Sequence, residues 1–354
     1  MELDARKQRI LQAIVQDYVA TAEPVGSHVL VQRYSLGVKS ATIRNEMAEM
    51  SERGYLRQPH TSAGRVPSDL GYRFYVNRLM PLPVIQPDEA ITVRDAVATA
   101  SSELDAVLRK TCSLLAAMTR LPAVATSPDA DDTELRQVFV SPAGADKLLL
   151  VLLFSTGRTE NRLLSASATA SDALVLANAL NDRFGGEALT ALRAAQVDES
   201  GVPNEMRRLA PLWSTLSREI VQAARALGDE MPMYVEGTHA VLEHPEFRDV
   251  ERLGQFLSTL QERAALLEMM GQALDERPSS AGKNGVQVVI GEENSRPFLQ
   301  PYSVVSSPYF VGDRERGAIG VLGPTRMDYG RAAASVAFMA RTLGDLLTRL
   351  SFSR

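Results

Sequence analysis

"SATIRNEMAEMSERGYLRQPHTSAGRVPSDLGYR", Ser40 to Arg73, decides how the chain is read. In its first half Ile43, Met47 and Met50 recur at helical spacing and share one face. Ser40 stands where an N-cap belongs, and Gly54 where a left-handed C-terminal cap belongs. At about 100° per residue the opposite face holds Ala41, Asn45, Ala48, Glu49 and Glu52, with Thr42 and Arg44 on its flanks. Charge is graded along that face. Lys39, Ser40, Thr42, Arg44 and Asn45 cluster at the start, whereas Glu46, Glu49 and Glu52 follow and are expected to repel phosphate. The second half places strand-forming residues on both sides of Ser62-Ala63-Gly64, where the glycine is expected to supply the positive φ of a hairpin turn.

Upstream, Asp4 is placed to cap a helix carrying Ile10, Leu11, Ile14, Val15 and Tyr18, which ends near "TAEPVGS". Ser27 is expected to cap a short second helix with Val29, Leu30 and Tyr34, closed by a turn at Gly37. Two helices joined by a brief glycine turn form a helix-turn-helix, whose second member enters a DNA major groove. A basic hairpin directly after it is a wing. Arg44 matches guanine and Asn45 adenine by donor and acceptor geometry. Lys39, Ser40 and Thr42 on the helix, and Arg57, His60, Thr61, Ser62 and Arg65 on the hairpin, suit phosphates or the minor groove. The plainer readings are a protein-binding helix-turn-helix and a solvated face of scattered arginines. Ser68 is expected to cap a further helix in which Tyr72, Tyr75, Val76 and Leu79 pack back on the first, and Pro81, Pro83 and Pro87 stiffen a linker over 81–87.

Composition agrees with a DNA partner met by one end of the chain alone. The 354 residues are 45% hydrophobic with a net charge of −5, yet residues 1–80 hold eleven Lys/Arg against eight Asp/Glu. From Arg53 to Arg78 there are five Arg and one Asp. No apolar run reaches the roughly 20 residues that span a bilayer, and "MELDARKQRI" mixes charges where a secretion signal needs an apolar core, so a cytoplasmic protein is expected. Cys112 is the one cysteine, which excludes an internal disulfide and argues against a Cys-based metal site; its neighbours "TCSLLAAM" make it a core residue.

"PVGS" (Pro24 to Ser27), "SATIRNEMAEM" (Ser40 to Met50), "GYLRQPHTSAGRVP" (Gly54 to Pro67) and "GYRFYV" (Gly71 to Val76) together resemble the N-terminal winged helix of the heat-inducible transcription repressor HrcA family. The resemblance is dense over 1–80 and looser beyond. It implies a repressor of chaperone operons that binds an inverted-repeat operator, the CIRCE element, as a homodimer. It also implies dependence on a GroEL-type chaperonin, and a GAF-like domain interrupted by an inserted dimerisation domain.

The rest of the chain is compatible with that layout. Residues 88–119 read as one long helix, "LPAVATSP" as a strand, and "LRQVFVSPAGADKLLLVLLFSTGRTENRLLSAS" as a three-strand meander with helices at about 171–184 and 204–227. A strand or two in "MYVEGTHAVLEHPEF", a helix over 249–274, the strands "VQVVIG", "YSVVSSPYFV" and "RGAIGVLGP", and a helix over 329–350 follow. The expected fold is a multidomain α+β chain: winged helix-turn-helix 1–80, discontinuous GAF-like domain 88–132 with 230–354, and an inserted α+β dimerisation domain 133–229. No enzyme signature emerges. Gly317, Gly320 and Gly323 lack nucleotide-loop spacing and suit strand packing, and His239 with His244 lacks a third ligand pattern, so no cofactor or metal is expected. An alternative function is a small-molecule-responsive regulator with the GAF-like domain as effector site.

Overall fold

The computed structural model describes residues 3–60, 63–81, 84–99, 104–127, 133–155, 157–196, 204–229, 232–275, 285–312 and 314–352. Asp4 opens α1 (Ala5–Thr21) by accepting the amides of Arg6 and Lys7, each at 2.9 Å. The helix closes at Ala22, whose left-handed backbone returns its N–H to Tyr18. Ile10, Leu11, Ile14 and Val15 are buried, as their spacing predicts. The caps of α2 (Ser27–Arg33) and α3 (Ser40–Glu52) fall one residue earlier than expected, on Gly26 and Lys39. Ser27 and Ser40 are instead the first helical residues, and their hydroxyls bond each other at 2.9 Å, tying the two helices together. Arg33 reaches the buried Asp17 of α1 at 2.7 Å, so α2 is also pinned to α1.

The hairpin is short, pairing β1 (Leu56–Arg57) antiparallel with β2 (Val66–Pro67). The loop after α1 lies beside it, because Val25 and Arg65 exchange both backbone hydrogen bonds at 2.9 Å. This corrects the expected role of Gly64. It does not adopt a positive φ; a Cβ there would sit 2.4 Å from the Val25 carbonyl oxygen, so the close approach of two backbones requires glycine. Ser68 caps α4 (Asp69–Phe74), which runs into a π-helical turn over Tyr75–Leu79 that packs on α1.

The linker stops short of Pro87, which is the first residue of α5 (Pro87–Ala98). The single long helix expected over 88–119 is two, α5 and α6 (Leu104–Thr119). After α6 comes β3 (Ala123–Thr126). The chain then builds a unit with its own core: β4 (Leu135–Pro142), β5 (Leu148–Phe154) and β6 (Thr159–Leu164) in an antiparallel meander. One face of it is covered by α7 (Ala170–Phe184), α8 (Leu189–Ala194) and α9 (Ala210–Asp229). Helix α8 was not anticipated from the sequence.

The chain returns as β7 (Met233–Glu236), which pairs with β3 in a second, five-stranded antiparallel sheet of order β7-β3-β10-β9-β8. Its other strands are β8 (Gln287–Ile290), β9 (Tyr302–Val311) and β10 (Arg314–Pro324). Alternation sorts the two faces. Val305, Ile319 and Val321 face α6 and the long α12 (Tyr329–Phe352), while Val304, Ala318 and Leu322 face α10 (Val250–Gln261) and α11 (Arg263–Asp275). The helix expected over 249–274 breaks at Glu262, which leaves the helical backbone region. Gly320 lets β10 approach β9, since a Cβ would lie 2.5 Å from the Val305 carbonyl.

The N-terminal helices dock on the edge of this sheet, and one hydrophobic core runs through both. Arg326 donates to the Val19 carbonyl in the last turn of α1 at 2.5 Å and grips Glu246 with two nitrogens at 2.5 and 3.0 Å. Arg73 bonds Glu293 and the Val288 carbonyl, Asp69 accepts the Glu292 amide at 2.9 Å, and the Tyr72 and Tyr329 rings meet at 5.5 Å. Burial alone would raise the Glu246 carboxyl; the bonds and charge of Arg326 outweigh it and hold it below its ordinary 4.5. The pair therefore stabilises fully above that value and loses its contribution as pH falls through the lowered one. Arg326→Met should cost roughly 2 kcal/mol in urea denaturation at pH 7, with the deficit narrowing in acid below the ordinary glutamate range.

Candidate nucleic-acid interface

Helix α3 buries Ile43, Met47 and Met50 against α1 and α2 and turns Ala41, Arg44, Asn45, Glu49 and Glu52 to solvent. Among the described residues, the side chains of Lys39, Arg44 and Asn45 have no hydrogen-bond or ion-pair partner, so the start of the helix presents unspent donors. Lys39, the cap residue, makes no side-chain bond to the first-turn amides of α3. These amides point outward at the positive end of a 13-residue helix, which suits an anion. Thr42 is half-buried beside them, and the Ser40 hydroxyl is held by Ser27.

On the hairpin, Arg57 is 62% exposed and only 3.9 Å from Asp69, a loose pair that leaves its guanidinium facing solvent. His60 is exposed near the tip, while Thr61 and Ser62 lie outside the described residues. Arg65 sits differently. It is half-buried, and its Nε donates to Ser51 Oγ at 2.9 Å, clamping the hairpin base to the last turn of α3. Ser51 in turn donates to the Met47 carbonyl, so hairpin and helix move as one piece.

The expected repulsion from the carboxylates of α3 is only partly realised. Glu46 is turned from solvent toward Lys7 and Arg6 of α1, at 2.8 and 3.3 Å. Glu49 lies 3.1 Å from Lys7 and 3.5 Å from Arg53. Lys7, Arg6 and Arg326 carry no local sequence signal for these roles, since Glu46, Glu49, Glu246 and the Val19 carbonyl lie far from them in the chain. Glu46 and Glu49 are i and i+3 on α3, a spacing that lets both reach one cation.

Comparison with known proteins follows the same line. The family model described as "HrcA protein C terminal domain" matches residues 105–333. The heat-inducible transcription repressor HrcA of Moorella thermoacetica is 39% identical over 353 residues, covering 99% of each chain. That of Symbiobacterium thermophilum is 38% identical over 346 residues, covering 97% of this chain and 98% of its own. The crystal structure of a hypothetical protein shares the fold, with a TM-score of 0.65 at 22% identity, covering 99% of this chain and 100% of that one.

Proposed function

Because the chain belongs to the heat-inducible transcription repressor HrcA family, we propose that it represses chaperone operons by binding a CIRCE-type inverted-repeat operator as a homodimer in the cytoplasm. Residues 1–80 serve as the winged helix-turn-helix, 81–87 as the linker, 88–132 with 230–354 as the GAF-like domain and 133–229 as the inserted dimerisation domain. The observation that carries the reading is the face of α3 at Arg44 and Asn45, unpartnered among the described residues beside uncapped first-turn amides. In this reading the first turns of α3 enter the major groove, Arg44 and Asn45 read bases, and Lys39, Ser40, Thr42, Arg57, His60, Thr61, Ser62 and Arg65 engage the backbone or minor groove.

The inserted unit supports dimerisation through its open sheet face. There β5 sets Leu149, Val151 and Leu153 in a half-buried row, flanked by Phe139 at 45% and Leu163 at 58% exposure. Such a contiguous apolar face suits an identical patch on a second copy. A GroEL-type chaperonin modulates the repressor in this reading, a proposal carried by family membership alone. A second reading, an effector-responsive regulator, draws support from a cleft of about 310 Å³ where α1 meets the sheet body, lined in part by Arg120, His244 and Arg326. Stabilisation of the protein by a metabolite in a thermal-shift screen would favour it.

Two outcomes are expected. In gel shifts, Asn45→Ala should lower affinity by about 1 to 3 kcal/mol for operator while barely changing scrambled DNA, whereas Arg57→Ala should weaken both equally and reduce the salt slope by about one. In light scattering, Val151→Asp should convert dimer to monomer, because a carboxylate in the centre of a joined apolar face loses its water.

A further inference from the structure

One ammonium gathers three carboxylates on the underside of α3. Lys7 is only 8% exposed, and its Nζ lies 2.8 Å from Glu46, 3.0 Å from Asp4 and 3.1 Å from Glu49. The helix that carries Lys7 is fixed, because Ile10, Leu11 and Ile14 are fully buried beside it. The ammonium therefore cannot follow the carboxylates outward; they must come to it. Asp4 serves twice, capping α1 and bonding Lys7. These bonds hold the Asp4 carboxyl below its ordinary value and raise the Lys7 ammonium above its own, so this pair stays ionised throughout the neutral range.

The position of the cluster gives it a consequence beyond packing. Glu46 immediately follows Arg44 and Asn45, and Glu49 lies one turn further along α3. Resting on the DNA-binding reading above, we propose that Lys7 is a positioning residue for DNA recognition. It holds the Glu46 carboxylate beneath α3, neutralises the half-exposed Glu49 beside it, fixes the rotation of α3 about its own axis, and keeps the field around Arg44 and Asn45 positive. Without that cation three carboxylates share one small volume. Mutual repulsion then turns Glu46 outward to join the already exposed Glu49 and leaves both unneutralised by Lys7 on the flank where phosphates approach.

The test uses the full-length chain, a CIRCE-type inverted-repeat duplex and a scrambled duplex of equal length, titrated from low to high salt. Lys7→Met should bind both duplexes about tenfold more weakly at low salt, the deficit shrinking as salt screens the freed carboxylates. Lys7→Arg, which keeps the charge, should bind close to wild type. The triple variant Lys7→Met, Glu46→Gln, Glu49→Gln should recover affinity to within about threefold of wild type, because it removes the repulsion together with the cation. A triple variant as weak as Lys7→Met, a deficit independent of salt, or wild-type binding by Lys7→Met would each overturn the proposal. Should Lys7→Met fail to fold, the triple variant and Lys7→Arg still decide. Failure of the wild-type chain to prefer the inverted repeat would instead count against the DNA-binding reading itself.

Discussion

The guanidinium of Arg326 joins the end of α1 to the sheet-bearing body, and the placement of the candidate DNA-binding face depends on that joint. It is 9% exposed and spends its nitrogens on Glu246 and on the Val19 carbonyl, one of the last-turn acceptors at a helix C-terminus. Arg73 and Asp69 repeat the attachment one helix away, on the loop around Glu292 and Glu293. The resulting contact is a rigid seat with a shared core. The N-terminal helices mounted on it hold a fixed direction relative to the remainder of the chain, which suits the proposed reading of two half-sites at a set separation by a dimer.

Helix α1 acts as the spine from that seat to the face. Its apolar side is buried, and three of its polar residues hold neighbouring elements: Asp17 pins α2 through Arg33, and Lys7 and Arg6 hold α3, while the loop beyond it is bridged to Arg65 of the hairpin. Arg65 then clamps the hairpin to Ser51 of α3. Charge is thus sorted by location. Cations and anions pair off beneath α3, and the donors left over lie at its exposed start.

What could be read from the sequence was whatever acts over a few residues. Asp4 as a cap, the buried stripe of Ile43, Met47 and Met50, and the alternating strands β9 and β10 all depend on neighbours within one or two turns. Ser27 and Ser40 misled by one residue because each hydroxyl found the other across a turn, a tertiary bond that displaced the local capping choice. Gly64 was recognised as special for the wrong reason, since the approach of Val25 cannot be inferred from a hairpin alone. The breaks at 99 and 262 turned one expected helix into two in each case, with no proline or glycine at either break to announce it. The candidate face itself was legible because helical periodicity alone assigns it. Its electrostatics were not, because Lys7 and Glu46 are 39 positions apart in the chain and Arg326 reaches Val19 across 307.

The central claim is that the opening turns of α3 lie against duplex DNA, twice, in mirrored orientation. An Ala41→Cys variant carrying a DNA-cleaving iron chelate tests it most directly, since Cys112 is fully buried and leaves residue 41 as the reactive thiol. Bound to an inverted-repeat operator, the labelled protein should cut at two positions related by the operator's dyad, one in each half-site. Uniform cutting along the duplex, or none at all on DNA that the protein demonstrably occupies, would contradict the account.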